Sequence, residues 1–160
     1  LADYTQPLAA IFADAERETK RFMAENGYTR SGASAALVIA ASRVVYTANL
    51  GDSRVYRYTH GALTQLTRDH RFALGGRHEL YQYLGASDED TEISPTIGKI
   101  DRVPGERLLL CTDGVSGKLT DEELAALLTA HPDAGEAATA ILDAVRESAT
   151  DNATVLVVNL

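Results

Sequence analysis

The stretch that decides the fold runs from residue 35 to residue 67, AALVIAASRVVYTANLGDSRVYRYTHGALTQLT. Ala35 to Ala41 is a short apolar run with few polar breaks, the texture of a strand covered on both faces. Ser42-Arg43 makes a turn, Val44 to Leu50 is a second strand, and Gly51-Asp52-Ser53 interrupts it. Arg54 to Thr59 alternates and resumes the strand, His60-Gly61 turns, and Ala62 to Thr67 returns. Strands joined by turns this short are mostly antiparallel, because parallel neighbours need a crossover of a dozen or more residues.

Working outward, residues 7 to 26 read as an amphipathic helix. Pro7 suits its first turn, Leu8, Ile11, Phe12, Ala15, Thr19, Phe22 and Met23 recur at helical spacing, and Gly27 is placed to end it. Glu16, Glu18, Lys20 and Arg21 fall largely on the other side. Beyond the strands, residues 68 to 97 are the least regular part. They hold Gly75-Gly76, a short helix candidate around Glu79 to Leu84, and an acidic stretch from Ser87 to Glu92 that reads as a solvated loop. Lys99 to Val103 and Arg107 to Cys111 are expected to form a hairpin around Pro104-Gly105. Thr120-Asp121-Glu122-Glu123 is a capping box opening one helix, a second helix covers about 134 to 148, and Thr154 to Asn159 is a last strand. The order predicts one α+β layered domain across residues 1–160.

Composition narrows the functional classes. Of 160 residues, 45% are hydrophobic and 24% charged, a globular rather than a disordered mix. Fifteen basic against 23 acidic side chains give a net charge of −8, which argues against nucleic acid or an anionic membrane as partner. The single cysteine, Cys111, excludes an internal disulfide and a cysteine-rich zinc module. No apolar run reaches the roughly 20 residues that span a bilayer, and the first residues lack a signal-peptide pattern, so a cytoplasmic location is expected.

Three aspartates share a setting at strand ends beside turn formers: Asp52 in Gly51-Asp52-Ser53, Asp113 in Thr112-Asp113-Gly114, and Asp151 in Asp151-Asn152. Carboxylates held by a sheet suit a site for hard cations such as Mg²⁺ or Mn²⁺. Asp-Gly and Asp-Asn are equally ordinary turn pairs, and spacing alone does not decide between the two readings. His60, His70, His78 and His131 have no partner at zinc-ligand spacing and read as solvated or turn-associated. Cys111 reads as strand core, and Tyr46, Tyr56 and Tyr58 as fillers of sheet faces.

The order of the motifs adds what spacing lacks. Ser31-Gly32-Ala33-Ser34-Ala35, VVYTANLGDSRVYRY, His60 to Thr67, Asp69-His70, LLLCTDGVSGKLTDEEL and DNATVLVV together resemble the bacterial type 2C serine/threonine protein phosphatases. The resemblance covers nearly the whole chain from residue 31 onward. It implies an antiparallel β-sandwich flanked by helices, and hydrolysis of phosphoserine or phosphothreonine by a water activated on two divalent ions, Mg²⁺ or Mn²⁺. By the same resemblance, Asp113 and Asp151 match metal-holding carboxylates, Asp52 matches an aspartate that shares a third metal with Asp113, and Gly114 and Asn152 adjoin the metals. A phosphoprotein substrate and an opposing serine/threonine kinase are the implied partners.

One family element is missing. An Asp-Gly-x-Gly-Gly motif, whose aspartate bridges both metals, precedes the first helix in that family, and Asp113-Gly114 is the only Asp-Gly pair here. The expectation is therefore a partial domain lacking the N-terminal strands, with weak or no turnover of its own. The alternative is a phosphoprotein-binding domain without turnover. An edge left without its neighbour strand is expected to recruit a second copy or exchange strands.

Overall fold

The computed structural model describes residues 3–29, 31–74, 77–86, 92–148 and 150–160. Helix α1 (Thr5–Asn26) opens the chain and ends at Gly27, whose φ of 70° is the left-handed cap expected there. Three strands then assemble one sheet in the order β1 (Ala35–Ala40), β2 (Val44–Leu50), β7 (Thr96–Asp101). A second sheet has the order β4 (Ala62–Gln65), β3 (Arg54–Thr59), β8 (Arg107–Cys111), β9 (Val155–Asn159). Every pairing is antiparallel. A separate hairpin joins β5 (Arg71–Leu74) to β6 (Arg77–Leu80). Helices α2 (Asp113–Ser116), α3 (Asp121–Ala130) and α4 (Ala134–Arg146) lie between β8 and β9 in sequence.

The helices explain the burial of the sheets. Leu8 and Phe12 of α1 pack on Val44, Tyr46, Ala48 and Leu50, which alternate along one face of β2. Leu124, Leu128, Ala137 and Ile141 of α3 and α4 pack on Tyr56, Leu109, Cys111 and Val157 of the other sheet. The α+β sandwich with helices on its outer faces is thus as the family resemblance implies, and all of β2 is buried because it is covered on both sides. Thr120 caps α3: its hydroxyl accepts from the Glu123 N–H at 3.2 Å, and the Glu123 carboxylate accepts from the Thr120 N–H at 2.8 Å.

Several expectations are corrected. Val44–Leu50 and Arg54–Thr59 are not one interrupted strand: Gly51-Asp52-Ser53 is where the chain leaves one sheet for the other. Strands β7 and β8 are no hairpin, since β7 pairs with β2 and β8 with β3 and β9. The helix expected around Glu79 to Leu84 is absent; Glu79 and Leu80 belong to β6 and bends follow. On α1, Ile11 and Phe22 are exposed while Glu16 is buried, because its carboxylate reaches the Gly85 N–H at 2.7 Å. Of the two settings expected for His70, solvated or turn-associated, it is buried against the Gly51 turn. The Gly75-Gly76 pair and most of the acidic stretch, residues 87–91, lie outside the described residues.

Candidate metal centre at one end of the sandwich

Strand register brings the three aspartates to the same end of the four-stranded sheet. Arg54 pairs with Cys111, and Cys111 pairs with Val155. Asp52 stands two residues before Arg54, Asp113 two after Cys111, and Asp151 four before Val155. Antiparallel neighbours therefore deliver all three to one rim.

Asp113 and Asp151 sit on turns in direct contact. The Thr112 N–H donates to the Thr154 carbonyl at 3.2 Å, and the Thr154 N–H donates to Thr112 Oγ1 at 3.0 Å. Gly114 lies so close to the Asn152 backbone that a Cβ there would fall 2.9 Å from the Asn152 carbonyl carbon. The Asp151 carboxylate accepts the N–H of Asn152 at 2.7 Å, an Asx-type contact that shapes the loop. Both Asp113 and Asp151 are exposed.

Asp52 has the opposite setting. It is 8% exposed, and burial, followed by the charge of Asp113, pushes its carboxyl above the usual range. A buried network pins its turn. Gly51 has φ 95°, and a side chain there would collide with Ser34 at 2.5 Å, so only glycine fits. His70 binds Gly51 twice, its N–H donating to the Gly51 carbonyl at 2.9 Å and its Nδ1 facing the Gly51 N–H at 3.2 Å. Its Nε2 meets Thr96 Oγ1 at 2.7 Å, and Asn49 donates to the Arg68 carbonyl at 2.8 Å. Next to this turn, Asp69 takes the Arg54 fork at 2.9 and 2.7 Å and Arg71 at 3.0 Å. Burial works against the Asp69 charge, yet the Arg54 hydrogen bonds and both guanidinium charges hold its pKa below the usual value. The Cys111 thiol, pushed up to about 12 by burial, is a core group and no nucleophile.

The donor set fits a hard cation in kind, since Mg²⁺ keeps several waters beside one or two carboxylates. Among the described residues no three His, Cys, Asp or Glu side chains converge closely enough to hold a metal ion. Beside the rim, a cleft of about 340 Å³ opens between the two sheets, lined by Ser34, Ser53, Cys111, Thr112, Thr154 and Leu156. One side belongs to the edge strand β1, the other to β8 and the edge strand β9. Sequence reasoning selected the three aspartates but missed Arg71 and His70; only their place after Asp69 in the motif hinted at them.

The antiparallel sandwich with outer helices is shared with solved phosphatase domains. The protein phosphatase 2C family model matches residues 4–153, and the chain belongs to that family. It is 29% identical over 142 residues to the serine/threonine protein phosphatase PstP of Mycobacterium tuberculosis, across 81% of this chain and 27% of that protein. Against the serine/threonine phosphatase stp of Listeria welshimeri it is 30% identical over 141 residues, 77% of this chain and 54% of the relative. A solved catalytic domain of PstP in complex with two manganese ions superposes with a TM-score of 0.81 at 28% identity, covering 98% of this chain and 71% of that one. The chain thus spans about a quarter to a half of the length of these curated relatives. No helix among the described residues is long and apolar enough to cross a membrane.

Proposed function

We propose that these 160 residues are the larger part of a metal-dependent protein serine/threonine phosphatase domain, acting on phosphoserine or phosphothreonine in proteins and opposing a serine/threonine kinase. The observation that carries this reading is the convergence of Asp52, Asp113 and Asp151 from three distant stretches onto one rim in a chain of this family. In this reading Asp113 and Asp151 bind Mg²⁺ or Mn²⁺, Asp52 joins Asp113 at a further ion, and Gly114 and Asn152 line the metals. In this reading water and further protein oxygens complete the coordination of the ions. The cleft between β1 and β8–β9 is where a strand supplying such protein oxygens fits, because it adjoins Ser53, Thr112 and Thr154 next to the three aspartates. Completing the sheet and completing the donor set are then one event.

The chain alone accordingly binds Mn²⁺ weakly and turns over p-nitrophenyl phosphate poorly or not at all. Mn²⁺ titration of the parent and Asp113→Asn tests the site: binding unaffected by the substitution refutes it. Turnover at the level of an intact family member, abolished by Asp113→Ala, refutes the incompleteness. A phosphoprotein-binding role without turnover is the second reading, favoured by the absence of three converging metal-ligand side chains among the described residues. Strands β1 and β9, AALVIA and VLVVN, carry no charge and lie at edges, so light scattering is expected to show a dimer or strand exchange, and a clean monomer counts against it.

A further inference from the structure

We propose that Arg71 is a phosphate-binding group of the acidic rim, its guanidinium receiving the non-bridging oxygens of the phosphorylated side chain. This rests on the phosphatase reading and names a residue in it that the motif resemblance did not assign. The first support is position. Arg71 directly follows His70, which is fastened to Gly51 by contacts of 2.9 and 3.2 Å, and Asp52 is the next residue after Gly51. One backbone and one side-chain tether therefore start β5 beside the carboxylate turn, and the Arg71 charge is felt at Asp52.

The second support is the state of its partner. Arg71 Nη2 meets Asp69 Oδ2 at 3.0 Å. That same oxygen already takes Arg54 Nη2 at 2.7 Å, while the other takes Arg54 Nε at 2.9 Å and Gln65 Nε2 at 3.0 Å. One carboxylate thus serves two guanidiniums, and one positive charge is left over. The two arginines are not equivalent. Arg54 is held by a bidentate fork and by Tyr56 Oη at 2.8 Å, and its side chain is 16% exposed. Arg71 is 28% exposed and its recorded ion pair among the described residues is the single contact to Asp69. Its remaining N–H groups are the donors that can swing to an incoming dianion without breaking the Arg54–Asp69 fork.

The chemistry matches. A phosphomonoester brings two negative charges toward a rim that already holds Asp52 and Asp113, and a planar guanidinium offers two parallel N–H donors to its oxygens. A residue that merely clamps Asp69 needs one donor and no exposure.

The test is a titration of the 160-residue chain with inorganic phosphate, and separately with a phosphothreonine peptide, followed at the arginine Nε–Hε resonances, with and without Mg²⁺. The Arg71 resonance is expected to move saturably. Arg71→Ala should weaken phosphate binding roughly tenfold, the loss expected for one charge-assisted pair. Arg71→Lys should retain part of it, because the charge remains and the fork does not. Arg68→Ala, an exposed arginine of equal charge nearby, should change little. Arg71→Gln keeps a donor for Asp69 and serves if Arg71→Ala fails to fold. Equal phosphate affinity in Arg71→Ala and the parent overturns the proposal, as does an equal loss in Arg68→Ala. The metal-free arm reads Arg71 alone, so it separates this failure from failure of the Asp113 metal site.

Discussion

Replacing Gly114 by alanine should loosen the acidic rim without touching a charge. An ideal Cβ on Gly114 lies 2.9 Å from the Asn152 carbonyl carbon and 3.3 Å from the Ala153 Cα, with the Asn152 oxygen closer still. Carbon pairs attract best at about 3.5–4.0 Å, so every one of these contacts is repulsive. The obstacles are backbone atoms, which have no rotamer to escape into. The loop is also tied back by the two hydrogen bonds between Thr112 and Thr154, at 3.2 and 3.0 Å, so separation must stretch them. Overpacking of this kind costs about 1–3 kcal/mol. Weakening one hydrogen bond adds about 1 kcal/mol. For a chain of this size a loss of about 3 kcal/mol lowers the melting midpoint by roughly 6–12 °C. Gly105 is the control: its φ is 76° but nothing lies within 4 Å of its Cβ position, so Gly105→Ala carries only the left-handed penalty of about 1 kcal/mol. Thermal and urea unfolding followed by circular dichroism compares the two. If Gly114→Ala costs no more than Gly105→Ala, the Asp113 and Asp151 turns are not pressed together as described.

Burial, then the charge of Arg68, keeps the His70 imidazole below its ordinary pKa of 6.5, so the unfolded chain takes up this proton first. Its contribution is complete above 6.5 and is lost as pH falls through the folded value; urea midpoints should drop on acidification through this window, and His70→Gln should flatten that slope, while an unchanged slope rules His70 out. Arg57→Ala strands the Glu106 carboxylate, fully buried and 2.7 Å from Arg57 Nε, and should cost about 3–5 kcal/mol in urea unfolding, whereas Arg57→Met with Glu106→Leu should recover most of it. Asp52→Asn should raise the melting midpoint at neutral pH: the raised Asp52 pKa means stability falls as pH climbs above 3.8 through the folded value, and the amide removes that loss. A lower midpoint for Asp52→Asn would show the carboxylate to be favourably held.

Periodicity and capping carried the helices and most strands, because burial of one face is a local property of sequence. Pairing is not. The Gly51-Asp52-Ser53 break reads as an interruption, yet it sends Val44–Leu50 and Arg54–Thr59 into different sheets. Pro104-Gly105 is a true turn, but its flanking strands part to separate partners. Glu16 shows the same limit from the other side. It falls on the Leu8–Phe12 stripe of α1, where Lys20 one turn on and Gly85, 69 residues away, hold the buried carboxylate. The burial of His70 is not local either: its partners Gly51 and Thr96 are 19 and 26 residues distant. Motif order singles out the three aspartates, and their shared rim follows only from the register Arg54–Cys111–Val155.

The acidic rim also stands apart in how its charge is held. Three carboxylates of the described residues are buried: Glu16, Asp52 and Glu106. Glu16 has Lys20 at 3.1 Å and the Gly85 N–H at 2.7 Å; Glu106 has Arg57 at 2.7 Å. Asp52 forms no ion pair within the described residues, and the like charge of Asp113 acts on it more strongly than the opposing charge of Arg71. Taking a carboxylate out of water without a cation is costly, and folded proteins supply the partner wherever stability alone is at stake, as this one does twice. The same molecule that pairs Glu16 and Glu106 leaves Asp52 without an ion pair among the described residues, on a turn fixed by Gly51 and the buried His70. Stability selects against that arrangement; a ligand of opposite charge selects for it.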